Sequence, residues 1–117
     1  MKTVIAASSA YNKKYFFNGE FASMPKGVQD EIRILCTLFT EKCGGIFTLG
    51  YVTDGSVFME AEKAEDDLDY DEIGARLETD RLQKEKSKFF HSLSLWFAAF
   101  KTEDGKSIIE EMKTEGN

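Results

Sequence analysis

Residues 46–62 read I-F-T-L-G-Y-V-T-D-G-S-V-F-M-E-A-E. Two runs rich in β-branched and aromatic residues, 46–52 and 57–62, flank Thr53-Asp54-Gly55-Ser56. Asp-Gly between two such runs is a strong short-range hairpin signal. The first run is apolar almost throughout, which predicts a central strand. The second alternates toward its end, with Phe58, Glu60 and Glu62 set against Met59 and Ala61, which predicts a half-exposed one.

Helical patterns lie on both sides of this hairpin. Upstream, the spacing predicts a helix over 25–42. Val28, Ile32, Leu35, Cys36, Phe39 and Cys43 share one face, and Ile34 with Leu38 widens it, which predicts burial on more than one side. Ser23 is placed to cap its start, Pro25 suits a first turn, and Gly44-Gly45 ends it. Downstream, Tyr70, Ile73 and Leu77 form one stripe, and Phe89, Leu93, Trp96 and Phe100 another. Only Leu82 is apolar between 78 and 88. One long helix over 71–100 with a polar waist is expected, in preference to two helices meeting near 81–87. Short strands are predicted at 3–7 and 14–17, with Asn18-Gly19 as a turn.

These elements predict an α+β fold: a small, mainly antiparallel sheet of three to five strands, with two principal helices on one face. At 117 residues the chain is long enough for one domain with its own core. Residues 1–100 are assigned to that domain and 101–117 to a mobile tail. An apolar content of 42% with ten Phe residues marks a folded chain.

The net charge of −6 resides in one segment. Residues 65–72 read E-D-D-L-D-Y-D-E, and outside them acids balance bases. An acidic chain with no basic face is a poor partner for nucleic acid or for anionic membranes. The most apolar stretch, 89–100, is shorter than the roughly 20 residues that span a bilayer. No leader-like segment stands at the start. A soluble cytoplasmic protein is expected.

Within the acidic run, Asp67, Asp69 and Asp71 have the alternate spacing of a calcium loop, and Glu78 stands at its twelfth position. The loop's sixth position needs glycine for a sharp turn and holds Glu72. The simpler reading is that Asp69 or Asp71 caps a helix whose first turn is acidic. Cys36 and Cys43 lie two helical turns, about 10 Å, apart, too far for a disulfide. They read as small buried hydrophobes. His91 falls on the far side of its helix from Phe89, away from either cysteine in sequence. No catalytic constellation, nucleotide-binding glycine motif or cofactor is indicated. Arg81, Lys84, Lys86 and Lys88 form a basic stretch beyond the acidic one, and the simpler reading is a solvated helix face whose ends match its dipole. Two copies laid antiparallel would set Asp67 and Asp71 of each against Arg81, Lys84 and Lys88 of the other, a self-complementary contact.

Y-F-F-N-G-E-F at 15–21, L-F-T-E-K-C-G-G-I-F-T-L at 38–49 and D-Y-D-E-I-G at 69–74 resemble a family of short bacterial proteins of unknown function. The resemblance spans about 11–100 and implies a small cytoplasmic protein with no assigned activity. The order helix, hairpin, helix also resembles the middle of profilin-like and roadblock-type domains, a likeness of fold alone. The expectation is a non-enzymatic interaction or regulatory module acting as a homodimer. The alternative is a small-molecule or metal-binding enzyme using residues 65–72. A third reading, a binder of apolar ligands, requires an aromatic-lined cavity.

Overall fold

The computed structural model describes residues 2–101. The hairpin forms as expected, from β3 (Ile46–Tyr51) and β4 (Val57–Glu62). Gly55 takes φ 90°, a value that suits glycine, while the Asp54 carboxylate accepts from the Ser56 amide at 2.9 Å. β1 (Thr3–Ser9) and β2 (Lys14–Phe17) complete one sheet in the order β2-β1-β3-β4, antiparallel throughout. Val4 pairs with Gly50 and Ala6 with Leu49, so Ile5 is an extra, fully buried bulge residue. Gly50 is required here: the Thr3 carbonyl and the Phe58 ring occupy the space a Cβ would need.

Three helices accompany the sheet: α1 (Lys26–Cys43), α2 (Glu72–Glu85) and α3 (Ser87–Lys101). α1 starts without a side-chain cap. Ser23 does not serve, its hydroxyl being buried with no hydrogen-bond partner, and the Pro25 carbonyl instead accepts from Val28 and Gln29. Gly44 ends the helix at φ 75°. The expected single helix over 71–100 is two helices, broken at Lys86. The Lys86 amide still donates to Leu82 and the Lys86 carbonyl accepts from Phe90, so the break is a kink rather than a loop. It redirects the chain so that α3 can reach the sheet. There the Tyr51 hydroxyl donates to the Leu93 carbonyl at 2.7 Å, and the Phe97 ring packs 4.4 Å from that of Tyr51. The side chain of Phe100 and the expected mobile tail lie outside the described residues, apart from Lys101, which closes α3.

The helices lie on one sheet face. Phe39 of α1 stacks on Phe47 at 4.3 Å, and Thr40 shares a buried hydrogen bond with Ser8 at 2.8 Å. Phe21 bridges Tyr51 and Trp96. Aromatic rings thus join the sheet to α1, to α3 and to the short 3-10 turn Gly19–Phe21. Much of the chain's Phe content is accounted for by this interlayer packing.

On α1 the predicted stripe of Ile32, Leu35, Cys36 and Phe39 is buried, whereas the flank that widened it and the predicted α2 stripe face outward. Ile34 and Leu38 on α1 are 52% and 57% exposed, and Ile73 and Leu77 on α2 are 76% and 64% exposed. α2 buries Ala75, Glu78 and Leu82 instead. The reason is electrostatic as well as steric. Glu78 turns inward because Lys42 and Arg81 meet it, and this rotates Leu77 out.

Candidate functional site

The acidic run crosses from β4 to α2, and its members have separate local partners. Asp67 accepts a 2.6 Å hydrogen bond from the Tyr11 hydroxyl, whose oxygen in turn accepts from the Ala64 amide at 3.0 Å. The Asp67 carboxylate beside it raises the Tyr11 pKa. Asp71 is the α2 N-cap, its carboxylate accepting from the Gly74 amide at 2.9 Å. Glu72 follows in the first turn and stands 3.7 Å from Lys63. Asp69 is exposed. The run thereby anchors the crossover and complements the positive end of the α2 dipole.

Glu78 lies apart from these aspartates, buried to 6% exposure between Lys42 at 2.7 Å and Arg81. Hydrogen bonding to Arg81, then to Lys42, outweighs burial and holds its carboxyl below the usual carboxylate range. The four acids of the calcium-loop spacing are therefore not brought together. Among the described residues, no three His, Cys, Asp or Glu side chains are arranged to hold a metal ion.

The basic stretch is divided by the kink. Arg81 is bonded to Glu78 and Glu85 of its own helix, and Lys86 lies 3.6 Å from Glu31 of α1. Lys84 and Lys88 are exposed. Cys36 is buried, and burial pushes its thiol pKa up to about 12. Burial also raises Cys43, with the Glu78 carboxylate adding to the effect. Neither has the electropositive setting that activates a thiol. His91 is exposed on α3.

Two clefts flank α2. An open groove of about 480 Å³ runs between α1 and α2, floored by Leu35, Phe39 and Leu82 and edged by Ile34 and Leu38. Its rim carries the ion pairs just described, and Glu41. A second cleft, of about 580 Å³, lies between β4 and α2, where Tyr70, Glu72, Arg76 and Thr79 face Met59 and Ala61. The Tyr70 hydroxyl is buried without a hydrogen-bond partner, and burial raises its pKa. Neither cleft is lined by Asp67, Asp69 or Asp71.

One surface escaped the sequence reading. The face of the sheet opposite the helices carries Phe16, Ile46 and Phe58, with Phe16 55% exposed. Period-two alternation in K-Y-F-F and V-F-M-E-A-E was the signal for it. If Tyr15 and Met59 face the core, Phe16 and Phe58 cannot.

The family model described as a family of unknown function, DUF6145, matches residues 2–105. The chain belongs to this family. No curated protein and no solved structure matches it. No helix among the described residues is long and apolar enough to cross a membrane.

Proposed function

We propose that this DUF6145 protein is a non-enzymatic interaction or regulatory module of the bacterial cytoplasm, working as a homodimer. The observation that carries this reading is the amount of large apolar surface left open on a well-packed fold. Ile34, Leu38, Ile73 and Leu77 point outward from the helices, and Phe16 from the other side of the sheet. Apolar surface gathered into patches marks contact sites more often than isolated exposed residues do. Polar side chains of reactive type are engaged otherwise: Asp71 with a helix start, Glu78 with two cations, Cys36 with the core. Sedimentation velocity of the full chain at high micromolar concentration tests the proposal. A species of twice the chain mass is expected, and a strict monomer contradicts it.

A further inference from the structure

Among the described residues, helices cover one face of the sheet. Ser8, Phe47 and Tyr51 meet α1 and α3 on that face. Alternation sends Val4, Ala7, Phe16, Ile46, Thr48 and Phe58 to the other, where Gly50 lies beneath the Phe58 ring. An antiparallel sheet that faces water on one side ordinarily carries polar residues there. Here the central strands add only the hydroxyls of Ser9 and Thr48, and the charged strand residues stand on the edge strands, sorted by sign. Lys14 stands on the β2 edge, and Glu60 and Glu62 on the β4 edge.

The register places Lys14, Ser9, Ile46 and Glu62 in one row across the sheet. Three strand spacings of about 4.8 Å hold Lys14 and Glu62 roughly 14 Å apart, so they cannot meet within one chain. Among the described residues neither forms an ion pair. Glu60 is held by Lys2, whose ammonium also sits 4.9 Å over the Phe58 ring.

We infer that, given a homodimer, its interface is this bare sheet face, packed against a second copy about a two-fold axis parallel to the strands. Such an axis lays β2 of one copy over β4 of the other and keeps each cross-strand row at its own level. Each Lys14 then faces the partner copy's acidic edge at Glu62, and both ends of the row are satisfied at once. Ala7, Ser9 and Thr48 are small enough for two sheets to approach to about 10 Å, with Phe16 at one margin and the Phe58 ring folded over Gly50. The helical groove offers no comparable complementarity, because Lys42, Arg81 and Lys86 on its rim already pair with Glu78, Glu85 and Glu31. Four strands of about six residues present a face of roughly 400 Å², about half of what a standard interface buries per partner, so a weak, concentration-dependent dimer is expected.

The test is a charge-swap cycle read by sedimentation equilibrium on the full chain. Lys14→Glu and Glu62→Lys should each weaken the dimer by about fivefold or more, and the double variant should restore it to within about twofold. Leu38→Asp, on the opposite side of the molecule, should leave it unchanged. Thermal melts by circular dichroism check that each variant folds. Single variants without effect, or a double variant no tighter than the singles, would overturn the sheet interface. So would a dimer broken by Leu38→Asp, an outcome that keeps the homodimer and moves it to the helices. A wild-type chain that stays monomeric removes both readings.

Discussion

Glu78→Gln tests how α2 is held to the rest of the fold. In the wild type this buried carboxylate receives Lys42 from α1 and Arg81 from its own helix. The substitution keeps shape and removes charge. Charge-assisted hydrogen bonds contribute about 1.5–3 kcal/mol each when sheltered. Lys42 and Arg81 are 65% and 46% exposed, so solvent screens much of that, and exposed pairs contribute under about 1 kcal/mol. A total near 2 kcal/mol is expected, which lowers the melting temperature by about 8 °C for a chain of this size. The pH dependence carries a sign. The folded carboxyl titrates below its unfolded value of about 4.3, so its stabilisation is complete above that value and is lost as pH falls through the lower, folded one. Circular-dichroism melts at pH 7 and pH 3 should therefore show a gap between wild type and variant that narrows in acid. A gap below about 0.5 kcal/mol at pH 7, or one unchanged at pH 3, would refute this account of the α1–α2 joint.

Other outcomes follow from the same geometry. Asp71→Ala removes the α2 cap and should cost about 1 kcal/mol in urea unfolding, while calcium, magnesium or manganese should leave the wild-type melting temperature unmoved. Tyr51→Phe deletes the buried donor to the Leu93 carbonyl and should cost about 1–2 kcal/mol, with α3 amides gaining hydrogen-exchange rate before those of β3. Cys36 should resist thiol reagents in the native protein and react on unfolding, as a buried thiol with its pKa near 12 must.

The sequence spoke most clearly where its signals were local. Asp54-Gly55 between two apolar runs specified the hairpin, because a tight turn needs particular residues at particular places. Gly44 ended α1 for the same reason. Asp71 was readable as a cap because capping involves neighbours three residues apart. The errors came where partners are distant. Nothing near Glu78 announces that Lys42, on another helix, meets it inside, so periodicity alone favours Leu77 as the core residue. The kink at Lys86 has no glycine or proline to mark it; it follows from the contacts α3 makes with Tyr51 on the sheet and with Phe21 in the 3-10 turn. For the site, sequence identified the acidic run but not Tyr11 or Lys63 as its partners. It overlooked the bare sheet face, because which side of a strand is covered depends on where helices settle, not on the strand alone.

Pulsed electron paramagnetic resonance with one spin label per chain tests the self-association account most directly. The label goes at Asn12→Cys, exposed in the turn between β1 and β2 at the margin of the uncovered face, in a Cys43→Ser background with Cys36 left buried. Two sheets stacked about 10 Å apart place paired labels within roughly 30 Å, and a dipolar signal at that distance is the predicted result. A label at Asn12 that shows only the background of isolated spins, at concentrations where a dimer should form, would contradict it.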